Sequence, residues 1–303
     1  MKLLKRIKEN GANNPLIFVA PYMILFIIFI VLPVIVAAFL SLTDFNGFQF
    51  PRFVGLRNFV SIFTEDTIFM QYALPNTIRF ALIVGPLGYM LSFFLAWSLA
   101  QISKLPRTIL ALLIYSPSMV GAVAMTVVWG VMFSGYQDGY INSFLLQWGI
   151  VTEPIQFTQD AAWLFRIMII VSLWNSMGLG FLAMLAGVLN INPEYYEAAY
   201  VDGLDNRFHE IIYVTIPSMK PQMLFGAVMS LVGTFQAGAI GVALSGSNPT
   251  PGYSGQLIMN HMEDFGFIRF EMGYAAALAV LLLVIIYAAS RFVWRLLGEK
   301  TEV

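Results

Sequence analysis

Glu197, Ala198 and Ala199 precede Asp202-Gly203 in a polar segment, Asn192 to Pro217, that interrupts long apolar runs. A carboxylate carried among such small side chains can come close to a partner's surface and meet a basic group there. The plainer alternative is a solvated glutamate, whose exposed ion pairs contribute under about 1 kcal/mol. A second set of polar and aromatic residues lies inside the apolar runs: Tyr115, Ser116 and Ser118, then Ser172, Trp174, Asn175 and Ser176, then Ser230, Thr234, Phe235 and Gln236. Polar side chains are costly in lipid and turn toward a bundle interior or a cavity. Amides and hydroxyls match the hydroxyl groups of a sugar and aromatic faces match its ring, so the set suits a neutral carbohydrate better than an ion. Taken singly, each serine, threonine or asparagine also reads as a hydrogen-bonding tie between helices.

Other chemistries lack their residues. Cysteine is absent, which excludes disulfides, thiolate catalysis and cysteine-held metal. His209 and His261 are the only histidines; they fall on opposite sides of the membrane, so no shared metal site is expected, and His261 to Asp264 reads as a wet external loop. No glycine loop with its lysine is present to cradle phosphate, so the chain itself should bind neither ATP nor another cofactor. There is no His-Glu-x-x-His helix and no membrane-embedded carboxylate pair, and a membrane enzyme would need such a convergent set. A net charge of -1 and the lack of a basic aromatic patch exclude nucleic acid.

The elements that must position these residues follow from composition. Of 303 residues, 59% are hydrophobic and only 11% are charged, the balance of an all-α polytopic membrane protein. Apolar runs predict six transmembrane helices at about residues 16–42, 76–100, 108–133, 162–189, 222–244 and 272–297. Each is near or above the roughly 20 residues that cross a bilayer core. Helices are expected because lipid offers no water to unpaired backbone groups. The first run is too long for a cleavable signal core, so residues 1–15 form a tail and 16–303 the membrane domain, with Pro21 and Pro33 kinking the first span. Ser245 to Gly255 has the composition of a flexible loop.

Lysine and arginine set the orientation. With both termini cytoplasmic, the inner side receives Lys2, Lys5, Arg6, Lys8, Lys104, Arg107, Arg207, Lys220, Arg291, Arg295 and Lys300, and the outer side only Arg52, Arg57, Arg79, Arg166 and Arg269. The loop over 190–221 then faces the cytosol across a cell membrane. Within it two short helices are predicted around Asp202-Gly203. Asn192 caps the first, Pro193 suits its first position, and Gly203 supplies the left-handed residue that ends it. Asp205 is expected to cap the second, with Phe208, Ile211, Ile212, Thr215 and Ile216 forming one apolar face and Pro217 closing it.

In order and spacing, Glu197-Ala198-Ala199, Asp202-Gly203, Ile216-Pro217 and Pro221 resemble the "EAA" cytoplasmic loop of permease subunits of binding-protein-dependent ABC importers, in particular sugar permeases of the maltose and glycerol-phosphate type. Phe53 to Phe59, with Asn76-Thr77 beyond, is similar to the first external loop of the same permeases. The resemblance implies the type I importer permease fold and ATP-driven alternating access. It implies a second permease chain completing a heterodimer, an extracytoplasmic solute-binding protein that delivers an oligosaccharide or related polyol, and two ATPase subunits that bind ATP and magnesium. Those ATPases would dock on Glu197, Ala198, Ala199, Asp202, Gly203 and Pro217. Substrate contacts would fall in the spans flanking the loop, at Trp174, Asn175 and Ser176 before it and at Phe235 and Gln236 after it. Gln236 stands where these permeases usually carry an acidic residue. A rival of another class is a stand-alone secondary transporter, which commonly needs ionisable residues within the membrane; here only Arg79 and Arg166, near outer span ends, fall within spans.

Overall fold

Proline sets where these helices depart from regular geometry. The computed structural model describes residues 15–120 and 122–297, and among them regular structure is helical, with an isolated antiparallel bridge between Thr43 and Phe53. The amino-terminal tail and Lys300 lie outside the described residues. Among the described residues, three of the four π turns, Ile27–Val31, Phe69–Ala73 and Ile211–Thr215, end just ahead of Leu32-Pro33, Leu74-Pro75 and Ile216-Pro217. Proline gives no N–H to the carbonyl one turn back and its ring crowds that carbonyl, so the preceding turn widens.

The described chain divides into two compact units. One comprises residues up to Ile62 together with Met262–Leu281. In it α1 (Pro15–Phe26) and α2 (Leu32–Leu40) flank the first π turn. Together they make a run, Phe18–Leu40, that is long and apolar enough to cross a bilayer and is not buried among the described residues. At the start of α3 (Arg57–Thr64), the Asn58 carboxamide donates to the Ser41 and Thr43 carbonyls at 2.9 and 2.8 Å and closes the following loop.

The other unit runs over Phe63–His261 and resumes at Leu282. Its axis is α4 (Leu74–Ala100), 27 residues long. After α5 (Lys104–Tyr115) a 3-10 turn at Ser116–Met119, containing Pro117, leads to α6 (Ala122–Met132), so the crossing expected at 108–133 is divided. α7 (Tyr140–Gln147) lies on the following connection. The spans expected at 162–189 and 222–244 are also broken. α8 (Ala161–Asn175) meets α9 (Leu179–Leu189) at 41°. Beyond α10 (Pro193–Val201) and α11 (Arg207–Glu210), α12 (Lys220–Phe235) meets α13 (Ala239–Ser245) at 52°. The second break needs glycine, because a Cβ on Gly238 would sit 2.5 Å from Met259 Cγ. α14 (Ile258–Glu263) and α15 (Met272–Leu297) complete the order. Among the described residues, three helices are long and apolar enough to cross a membrane, and five crossings result when each bent pair counts as one.

α4, α9 and α12 pack on one another around Phe181, Met184 and Met219, all buried. Small residues let the backbones close up: a Cβ on Gly180 would meet Gly226 Cα at 3.4 Å.

Two connections expected to be loose or wet are packed. Thr250 is buried, and its Oγ1 accepts from Gly255 N at 3.0 Å. The Asn76 carboxamide donates to the Tyr253 and Gln256 carbonyls. His261 is only 2% exposed and its Nε2 lies 2.6 Å from Asp66 Oδ2, so it is neither a surface histidine nor a free metal ligand. Buried Thr77 Oγ1 accepts from Ile258 N at 2.9 Å. Thr77→Val leaves that N–H without its partner and is expected to cost about 1–3 kcal/mol, read as a lower thermal unfolding midpoint in detergent. An unchanged midpoint would remove Thr77 from the account of how this segment is held.

Candidate functional site

Helix breaks create the polar space in the second unit. Where α8 ends at Asn175 and α9 begins after Gly178, a cavity of about 280 Å³ opens between α4, the break and α12. This is close to the lower bound, roughly 300 Å³, of cavities that hold small ligands. Tyr89 and Ser92 line it from α4, Ser172, Asn175 and Ser176 from the break, and Ser230 and Thr234 from α12. Ser176, Ser230 and Thr234 each donate to a backbone carbonyl, those of Leu173, Gly85 and Ser230, at 2.7, 3.0 and 2.6 Å. Their lone pairs remain as acceptors for a ligand's hydroxyl groups. The Tyr89 hydroxyl is enclosed with no hydrogen-bond partner among the described residues.

Of the residues singled out from sequence, Asn175 and Ser176 line this cavity together with Ser172, Ser230 and Thr234. Trp174 packs edge-on against Trp129, ring centroids 5.2 Å apart. Phe235 is buried along an apolar groove with Ile78, Leu82 and Phe292. Gln236 caps α12 and is exposed. None of these three is among the residues lining the polar cavity. Tyr89 and Ser92 were not singled out, although two polar residues spaced i, i+3 in an apolar run were a signal available in the sequence.

At the other end of α9 and α12 the chain forms an elbow. Asn192 caps α10, its Oδ1 accepting from Glu194 N at 3.2 Å with Pro193 at the first position. Gly203 takes φ +92°, and Leu204 N donates to Ala199 O at 2.9 Å, which ends the helix as expected from glycine. The second arm departs from expectation. Its cap is Asn206 and not Asp205, because the helix begins at Arg207 and the Asn206 Oδ1 reaches Phe208 N at 2.9 Å. Its inner face is also displaced: Phe208 is 64% exposed, while Glu210, Val214 and Thr215 are buried. The π turn ahead of Pro217 adds a residue to the turn and shifts the 3.6-residue register on which the apolar face was drawn.

Glu197, Ala198, Asp202, Gly203 and Pro217 are exposed on the elbow, with Ala199 half-buried. Tyr195, Val201 and Tyr213 add exposed apolar surface around them. Inside it, Tyr200 Oη donates to Glu210 Oε2 at 2.8 Å and Arg207 Nη1 to the same oxygen at 2.7 Å. The bond to the carboxylate holds the Tyr200 phenol above its ordinary value and raises Arg207 as well. Among the described residues no group of three or more His, Asp or Glu side chains converges to hold a metal.

Residues 88–296 match the family described as binding-protein-dependent transport system inner membrane component. The probable ABC transporter permease protein YesP of Bacillus subtilis (strain 168) is 33% identical over 92% of this chain and 88% of its own length. The lactose transport system permease protein LacF of Rhizobium radiobacter is 32% identical over 74% of this chain and 73% of its own. A chain of the bacterial alginate ABC transporter, solved in complex with an alginate pentasaccharide-bound periplasmic protein, shares the fold with a TM-score of 0.79, covering 100% of this chain and 99% of that one at 21% identity.

Proposed function

We propose a function from one premise: the chain belongs to the family of binding-protein-dependent transport system inner membrane components and is an ABC transporter permease for sugars. This is a family of transport permeases and not of enzymes. From that premise the chain forms half of an import pathway for a neutral oligosaccharide or related polyol. It crosses the cell membrane six times with both termini in the cytosol, the two bent pairs each serving as one crossing and the divided α5–α6 segment as the sixth. A second permease chain completes the pathway, an extracytoplasmic binding protein delivers the sugar, and two separate ATPase chains, holding ATP and magnesium, dock on the elbow around Glu197, Ala198, Ala199, Asp202, Gly203 and Pro217.

The observation that carries the reading is that elbow and polar cavity are the two ends of the same helices. α9 starts at the break beside the cavity and ends just before Asn192, while α12 starts just after Pro217 and ends with Thr234 on the cavity wall. A 16-residue helix such as α12 reaches about 24 Å at 1.5 Å per residue. Displacement at the elbow therefore arrives at the cavity through two packed rods, as rigid-body alternating access requires. Asn175, Ser176, Ser230, Thr234 and Tyr89 would exchange hydrogen bonds with sugar hydroxyls on the way.

Reconstitution tests this. In liposomes with a companion permease, two ATPase chains and a loaded binding protein, the chain is expected to accumulate oligosaccharide only when ATP is supplied. Uptake by the solitary chain would replace this reading with a secondary carrier. Labelling of His209 from the outer face of the cell would put the elbow beyond the reach of any ATPase.

A further inference from the structure

α11 is inside out for a helix at a protein surface: its phenylalanine, Phe208, is exposed and its glutamate, Glu210, is 3% exposed. Burying a carboxylate costs several kcal/mol unless it is paired and hydrogen-bonded, so the position requires partners. Both are present on one oxygen. Tyr200 Oη reaches it across the Gly203 turn from α10 at 2.8 Å, and Arg207 Nη1 from the same arm at 2.7 Å. A second polar pair bridges the arms beside it. Thr215 Oγ1, fully buried, lies 3.2 Å from Tyr196 Oη and donates to the Glu210 carbonyl at 3.3 Å.

Apolar packing contributes little here, because no side chain of α10 is fully buried and only Tyr196 and Ala199 are half-buried. Its nine residues are also too few to be stable as an isolated helix. What fixes α10 against the second arm is the set of hydrogen bonds that converge on Glu210 and Thr215. We propose that Glu210 is a positioning residue, a carboxylate strut that locks the two arms of the elbow so that a push on α10 moves α9 and α12 together. The inference rests on the reading that the elbow drives transport, and it assigns that work to a residue that touches neither sugar nor nucleotide.

The assembled transporter carrying Tyr200→Phe, which removes one hydroxyl at an exposed position, or Glu210→Leu, which removes the acceptor, is compared with the unaltered complex. Loss of a hydrogen bond to a charged group predicts that the amides of α10 exchange with solvent about tenfold faster or more, and that sugar moved per ATP hydrolysed falls. Glu210→Gln, which keeps an acceptor for Tyr200 but loses the charge facing Arg207, lies between. A merely structural role is separated by the Tyr200 phenol. In carbon-13-labelled protein its titration, above the ordinary value in the unaltered chain, drops toward that value in Glu210→Gln. Unchanged α10 exchange and an unchanged transport-to-hydrolysis ratio in Tyr200→Phe and Glu210→Leu overturn the strut. ATP-independent uptake by the unaltered complex overturns the function beneath it, whichever way the exchange result falls.

Discussion

Gly233→Trp is expected to abolish sugar uptake while the protein remains folded and in the membrane. Gly233 lies on the cavity wall of α12, and a Cβ built there meets nothing within 4 Å, so the new side chain has open space to enter. That space is the proposed route, a cavity of about 280 Å³ into which an indole ring would project. Replacing a helix-interior glycine also raises helix propensity by roughly 0.5–1 kcal/mol, so stability should not suffer. Uptake should fall by roughly 100-fold or more, equivalent to about 2.7 kcal/mol on the transport barrier. Gly233→Ala, with a methyl group only, should transport normally. A tryptophan variant that transports at the unaltered rate would show that the sugar does not pass between α4, α9 and α12.

Gly203→Asp is expected to uncouple the permease. Here too no atom lies within 4 Å of an added Cβ, so sterics against the rest of the chain play no part. The penalty is in the backbone. At φ +92° a side chain costs about 1–2 kcal/mol, and a carboxylate beside Asp202 at the negative end of α10 adds a few tenths more. A penalty of that size is too small to unfold a 303-residue chain. It is comparable to the hydrogen bonds that hold the elbow closed. Uptake measured against membrane-inserted protein should therefore drop about tenfold or more with insertion unchanged, and Gly203→Asn, whose side chain tolerates the left-handed region, should lose less. Full transport by Gly203→Asp would mean that the bend is not what carries force.

These two glycines differ in how readable they were. Gly203 follows Asp202 at the end of a capped helix, and a left-handed residue there is a matter of local backbone sterics that need only its neighbours. Gly233 is one of many glycines in apolar runs, and only the approach of α4 and the α8–α9 break shows that it faces empty space. The same divide runs through the candidate site. Asn175 and Ser176 were legible as polar residues in lipid, whereas Trp174, one position away, turns to Trp129, and Phe235 turns to an apolar groove. Tyr89 enters the site because α4 packs on α12; its spacing from Ser92 marks a polar stripe on α4 but not which neighbour that stripe meets.

By itself the sequence determined an all-helical membrane permease, the place of its elbow, the Asn192 cap and the Gly203 turn, since hydropathy and capping act over a few residues of chain. Tertiary structure decided where the spans break, which polar groups share the cavity, and that Glu210 and His261 are buried against partners far away or across a turn. The reason is physical. In a membrane both lipid and bundle interior accept apolar side chains, so periodicity carries little sign of which face turns inward. A buried acid or histidine is stable only through a partner that folding brings to it.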